Sequence, residues 1–292
     1  MAAEDVKRLN ELSEQGVPVE KRIFGEGHYL RPNFFTPYKC ENVMIEGVTI
    51  LRPPMWEVHP VLCTNVIVKD LKITTHGPNN DGCDPESCKD VLIDNCLFDT
   101  GDDCIAIKAG RNDDGHRVGV ASENLIVQNC NMKDGHAGVA IESEIAGGCK
   151  NVFIQNCQMD SPRLERVLRL KSNARRGGVI ENIFMRDIKI GKVAEALLTV
   201  DFLYEEGPKG DFPPTARNIN IENVESNASP RLFFIKGFDR ATIDGIRVSN
   251  SIFHNVTATE VVQHAGRIEL DNVTIEPKDK VRSMSSRPPT GD

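Results

Sequence analysis

Asp81 and the adjacent pair Asp102 and Asp103 stand on either side of a short apolar run, Val91 to Phe98, inside the stretch PNNDGCDPESCKDVLIDNCLFDTGDDCIAIKAG. If one turn of chain returns on itself there, three carboxyl groups meet. Crowded carboxyls cannot all ionise easily, so one keeps a proton as an acid while its neighbours act as base. His136, Arg169 and Lys171 follow at related places in the chain. Each has a plainer reading when taken singly. A DD pair in a loop is usually a solvated turn, Asp81 could serve turn chemistry, and His136 alone reads as a loop histidine. Arg169 and Lys171 could be a charge ladder with Glu142 and Asp103. Asp99, Asp113, Asp114 and His116 lie nearby in what reads as exposed loop, and RNDDGH is too short for a calcium loop.

What would bring these residues together is an internal repeat that takes over from Cys40. Its copies include ENVMIEGVTI, TNVIVKDLKI, KDVLIDNCLF, ENLIVQNCNM, KNVFIQNCQM, ENIFMRDIKI and RNINIENVES. Two short apolar/polar alternations flank one polar position, held by Asp70, Asn95, Asn129, Asn156, Asp187, Asn223, Asn250 and Asn272. Period-two alternation means strands, and Asn or Asp between them marks a bend in left-handed backbone. A strand–turn–strand unit cannot bury its own apolar face, but a stack of them can. Leucine-rich repeats are disfavoured because their frame and helix are missing, and a propeller would need four strands per copy. The fold expected is an all-β, single-stranded right-handed parallel β-helix spanning 23–277. An amphipathic helix is expected within a segment 1–22, placed to cap the open edge of the first coil, and a polar tail at 278–292. Of the nine cysteines, Cys40, Cys63, Cys88 and Cys149 open similar segments and Cys96, Cys130 and Cys157 fill one equivalent apolar slot, so buried reduced thiols are favoured over disulfides.

A third alternating run follows the central copies: CIAIK at 104–108, GVAIES at 138–143 and VLRLKS at 167–172. Aligning Ile105, Val139 and Leu168 puts Ala106, Ala140 and Arg169 in one outward row and Lys108, Glu142 and Lys171 in the next. Neighbouring coils are only about 4.8 Å apart, so Asp81, Asp102, Asp103, His136, Arg169 and Lys171 should share one surface patch.

These motifs make the chain resemble the polygalacturonases and related pectin-degrading glycoside hydrolases of family 28, over roughly residues 23–277. Its N-T-D motif matches Asn79-Asn80-Asp81, with Asn80 in place of Thr. G-D-D matches Gly101-Asp102-Asp103, G-H-G matches Gly135-His136-Ala137, and R-I-K matches Arg169-Leu170-Lys171. SEIAGG and FGEGHYLRP resemble bacterial exo-acting members. The resemblance implies an inverting hydrolase of α-1,4-galacturonide bonds that needs no cofactor or metal and takes a pectic oligo- or polysaccharide. It implies that Asp102 is the general acid and that Asp81 and Asp103 position and deprotonate water. His136 would hold the acid's protonation state or contact substrate. Asn79, Lys108, Glu142, Arg169 and Lys171 are expected to contact substrate, the uronate carboxylate falling to Arg169 and Lys171. Inversion asks for acid and base roughly 6.5–9.5 Å apart, which adjacent coils could provide.

Several departures matter. Ala137 replaces a glycine, and a positive φ there would strain it. Glu142 stands where relatives usually carry Gly; it either shifts the subsite toward a neutral sugar or unusual uronide, or is a surface ladder with Lys108 and Lys171. The chain also reads as shortened at its N-terminus relative to the family. A net charge of −8 disfavours nucleic-acid or membrane partners. No signal peptide is recognisable, so the expected compartment is cytoplasmic, or periplasmic or secreted if the front is trimmed. Competing readings are another pectic glycan (rhamnogalacturonan or xylogalacturonan), a calcium-dependent lyase on the same fold, and a weakly active or non-catalytic polysaccharide-binding β-helix.

Overall fold

The computed structural model describes residues 2–278. The repeat folds as a right-handed parallel β-helix: each strand pairs in parallel with its equivalents in the neighbouring coils. One sheet runs from Glu41–Glu46 through Thr64–Lys69, Lys89–Asp94, Ser122–Gln128 and Cys149–Gln155 to Val179–Lys192, and continues into Thr215–Ala228, Thr242–Val256 and Ile268–Pro277. The second sheet stacks Ile105–Ile107, Gly135–Ile141, Leu164–Lys171, Ala196–Asp201, Arg231–Lys236 and Val261–Gln263. It carries the third run of each copy.

In-register stacking builds the core from columns of like residues. Val66, Val91, Leu125, Val152, Ile183, Ile219 and Ile246 lie over one another, each at most 2% exposed. Burying each such side chain contributes about 1.5–3 kcal/mol. Leu71, Cys96, Cys130, Cys157, Ile188 and Val224 fill the equivalent slot after the bend and are equally buried. All nine cysteines are free thiols, as expected, and all but Cys40 are buried. Burial pushes the Cys88 thiol up to about 12.

All eight bend positions named from the sequence have positive φ, from 49° at Asn250 to 57° at Asp70 and Asp187. A second left-handed column, Asn42, Asn65, Asp90, Asn124, Asn151, Asn182 and Asn218, opens each repeat, and the period-two pattern alone does not reveal it. Its side chains bond from coil to coil: Asn151 Nδ2 donates to Asn124 at 3.0 Å, and Asn151 Oδ1 accepts from Asn182 at 2.9 Å. These residues are Asn because a short amide tolerates left-handed backbone and can bond along the stack.

Two expectations change. The N-terminal helix α1, Ala2–Glu14, does not cap the first coil. It lies on the flank, where Ser13 donates to Asp114 and Glu14 pairs with Arg175. The first coil leaves Met44, Leu51, Phe34, Phe35 and Tyr38 exposed. The stretch read as loop around Asp113, Asp114 and His116 is a short helix α2, Asn112–Val118, closed by Gly119 in left-handed backbone. Asp114 there is held by Arg22 and Arg117, and His116 stacks on Phe212 with centroids 3.9 Å apart. The expected C-terminal tail lies, but for Lys278, outside the described residues.

Replacing Asn151 by Ala removes two ladder hydrogen bonds and puts a Cβ without a compensating amide at φ 59°. The left-handed penalty is roughly 1–2 kcal/mol. Urea unfolding should show a loss of about 2 kcal/mol for Asn151→Ala and a smaller loss for Asn151→Gly. Equal losses would contradict the backbone argument.

Candidate active site

The second sheet supports a cleft of about 380 Å³ lined by Asp81, Asp102, Asp103, Lys108, His136, Glu142, Arg169 and Lys171, with Asn79 at its edge. The predicted register holds: Val139 pairs with Ile105 and Leu168, and Ala140 with Ala106 and Arg169. Asp81 and Asp103 sit on successive coils just ahead of these strands, the Gly82 amide donating to the Asp103 carbonyl at 3.1 Å. The His136 amide donates to the Asp102 carbonyl at 3.2 Å.

Two glycines let the coils close on the carboxylates. A Cβ on Gly101 would come within 2.5 Å of the Gly77 carbonyl oxygen. Gly135 has φ 147°, and a Cβ there would meet the Asp102 carbonyl oxygen at 2.6 Å. The positive φ of the histidine motif thus falls on Gly135. Ala137 is not among the left-handed residues, so the strain expected for it does not arise.

Asp81, Asp102 and Asp103 each offer an oxygen within 4.8 Å of the others. That is tighter than the 6.5–9.5 Å expected between the acid and base of an inverting pair. The patch is also not a solvated surface. Asp81, Asp103, Lys108, Glu142 and Lys171 are 1–6% exposed. The ladder expected as Lys108–Glu142–Lys171 forms only in its second half, with Glu142 Oε1 2.5 Å from Lys171 Nζ. Lys108 is not placed as the expected substrate contact. Its ammonium lies 3.5 Å from Asp81 and 3.3 Å from Asp84, over the Trp56 ring at 4.3 Å. Asn79 Oδ1 accepts from Arg31 at 2.5 Å.

Burial and crowding separate the carboxyls. Burial pushes the Asp103 carboxyl well above its ordinary value, and the Glu142 charge adds to this. Asp81 is pushed up by burial to about 6, the Lys108 charge opposing the rise and the Asp102 charge adding to it. Burial would also raise Asp102, but the hydrogen bond and charge of His136, with Lys171, outweigh it and leave Asp102 lowered. His136 Nδ1 is 2.9 Å from Asp102 Oδ1, and this hydrogen bond raises the imidazole. Burial and the Glu142 charge thus favour the protonated form of Asp103, while His136 favours the ionised form of Asp102. The three aspartates could also group around a cation, but Lys108 and Lys171 already set two positive charges among them.

Sequence reasoning missed several contributors. Asp84 is fully buried beside Lys108, although it lies one residue past Gly82-Cys83 in a segment read as turn chemistry. Trp56, the only tryptophan, and Tyr204 supply rings under Lys108 and Lys171. Arg111, which reaches Glu144 at 3.9 Å and Glu205 at 3.8 Å, lines the cleft with them. Being one of a kind is the only signal Trp56 gave; Tyr204 and Arg111 gave none.

Lys108→Met leaves Asp84 and Asp81 buried without their counter-charge. The loss of one partner of a buried ion pair costs about 3–5 kcal/mol. Chemical unfolding should show that loss at neutral pH, shrinking under acid as the carboxyls take up protons. A loss below 1 kcal/mol would show that Lys108 does not hold the pair.

The comparisons with known proteins agree with this geometry. The family model for glycosyl hydrolases family 28 matches residues 24–230. A probable polygalacturonase of Vitis vinifera is 26% identical over 237 residues, covering 79% of this chain and 48% of the relative. A polygalacturonase of Ralstonia nicotianae (strain ATCC BAA-1114 / GMI1000) is 34% identical over 155 residues, covering 52% of this chain and 27% of that one. The crystal structure of a hyperthermoactive exopolygalacturonase from Thermotoga maritima superposes with a TM-score of 0.90 at 41% identity, covering 94% of this chain and 62% of that structure. The chain thus spans about half or less of the length of these curated relatives. A family match over most of the β-helix, together with the four motifs on one cleft, identifies the chain as a member of glycosyl hydrolase family 28.

Proposed function

We propose that this chain hydrolyses α-1,4-galacturonide bonds of pectin by general acid–base catalysis. The observation that carries the reading is three aspartates meeting in one cleft whose surroundings push them apart: Asp103 well above its ordinary value, Asp102 below it, Asp81 up to about 6. Names of relatives and of the Thermotoga maritima structure support a polygalacturonase activity.

In this reading Asp81 is the base. At neutral pH its carboxylate can take a proton from water, and neutral Asp103 orients that water. Asp102 faces the cleft with a fifth of its side chain exposed and serves the leaving oxygen. Its proton comes from His136. When a sugar displaces water, an ion pair loses solvation and the neutral pair becomes favoured, so the proton moves from the imidazole Nδ1 to Asp102. Asp102 then passes it to the glycosidic oxygen as the C1–O bond breaks and water adds to C1. Arg169 makes no ion pair within 4.0 Å among the described residues and is free to meet a uronate carboxylate. Similarity to the exopolygalacturonase of Thermotoga maritima supports attack from a chain end.

Polygalacturonate should release reducing ends with the wild type, and mono- or digalacturonate should dominate the products. Asp102→Asn should lower kcat by roughly 100- to 10,000-fold, the span of general-acid catalysis. An ultraviolet-absorbing unsaturated product, or loss of activity with chelator, would instead indicate a lyase.

The pH profile follows from the same groups. Asp81 must be ionised to act, so activity should rise as pH climbs through about 6. The His136–Asp102 pair must hold its proton, so activity should fall as pH passes the raised value of His136. His136→Gln removes the proton store, so kcat should fall and the upper limb should move to lower pH; a profile unchanged by the substitution would contradict the proton route.

A further inference from the structure

We propose that Glu142 sets the specificity of this cleft: by taking up the Lys171 ammonium it leaves Arg169 as the unpaired cation of the Arg169–Lys171 motif, so the sugar over Lys171 is accepted without a negative charge at C6. That sugar is a methyl-esterified uronate or a neutral hexose. The inference rests on the pectin-hydrolase reading above and deepens it.

The charges of the cleft floor are arranged in two closed groups. Lys108 is shared by Asp81 and Asp84 at 3.5 and 3.3 Å. Lys171 is shared by Glu142 at 2.5 Å and Asp103 at 3.8 Å. The side chains of Glu142 and Lys171 are each 7% exposed, so this pair is shielded from the screening that weakens surface ion pairs. Lys171 also lies over the Tyr204 ring at 5.1 Å, which fixes it from a third side. A substrate carboxylate aimed at Lys171 would therefore have to approach Glu142 in a low-dielectric site or expel it from its partner. Like charges so placed discriminate against a ligand more sharply than a missing contact does. An ester or hydroxymethyl group at the same place meets no such repulsion.

Arg169 differs. It occupies the row next to Lys171 on the same strand, its Nε lacks a hydrogen-bond partner, and no carboxylate lies within 4.0 Å of it among the described residues. One carboxylate-accepting position therefore remains, and one has been closed by the chain's own acid. Glu142 acts here as a specificity-determining residue; it transfers no proton to the reacting bond.

The test compares unesterified trigalacturonate with its methyl ester. Binding is read by calorimetry at pH 7 in an Asp102→Asn background, and turnover in the otherwise wild-type chain. Glu142→Gln keeps the side chain's size and removes its charge. It should shift the affinity ratio at least tenfold toward the unesterified sugar, chiefly through Kd and KM. Glu142→Asp, which keeps the charge, should hold the parent ratio. Glu142→Ala replaces the Gln variant if thermal melting shows that the amide does not fold. A ratio unchanged within twofold in the neutral variants, in a chain that hydrolyses polygalacturonate, overturns the inference alone. Failure of every variant to bind either sugar, with no reducing ends released, overturns both this inference and the reading it rests on.

Discussion

Parallel coils stacked about 4.8 Å apart allow a residue no neighbour but its own equivalents above and below. In the core this rule is easily met, since a column of Val, Ile, Leu and Cys buries itself. On the catalytic face it brings acid over acid. Asp81 and Asp103 occupy successive coils with almost no solvent, and Asp84 and Glu142 add two more buried carboxyls. Such a stack can stand only if buried cations sit between the acids or some acids stay neutral. The chain does both. Lys108 and Lys171 divide the cluster into two groups, and burial raises the Asp103 and Asp84 carboxyls, favouring their neutral forms. The same crowding that burdens the fold prepares the protonation states that the chemistry uses.

This view separates two kinds of cation in one cleft. Lys108 and Lys171 each lie between two carboxyls and an aromatic ring. Arg169 and His136 are the cations that still face the space a sugar would fill, and His136 is already bound to Asp102 by a hydrogen bond. In this chain the two cations of the Arg169-Leu170-Lys171 motif thus differ in surroundings: Lys171 is paired with Glu142, and Arg169 has no carboxylate within 4.0 Å among the described residues.

The register was legible in the sequence because its period-two pattern is written by burial, and burial leaves no freedom of choice at Ile105, Val139 or Leu168. The eight bends were legible because only Asn and Asp combine left-handed backbone with a bond to the next coil. The site residues were legible as a set, but their burial was not. Sequence alternation marks Lys108, Glu142 and Lys171 as pointing out of the core, and it does not say that neighbouring loops roof them over. The same blindness hid Asp84, Trp56 and Tyr204, which reach the cleft through loops whose course no periodicity records. The helix α2 was missed because a seven-residue element with Gly115 inside it resembles a turn. The placing of α1 on the flank depends on single contacts, such as Ser13 with Asp114, that carry no pattern at all.

The central claim is that the surroundings of Asp81, Asp102 and Asp103 drive their protonation apart before any substrate arrives. Carboxyl carbon chemical shifts of the aspartates, followed by NMR through a pH titration and assigned by single Asp→Asn substitutions, measure this directly. The account predicts that Asp103 stays protonated at neutral pH, Asp81 titrates near 6, and Asp102 is already ionised below the ordinary aspartate range. Three aspartates titrating together near 4, the unperturbed value, would contradict it.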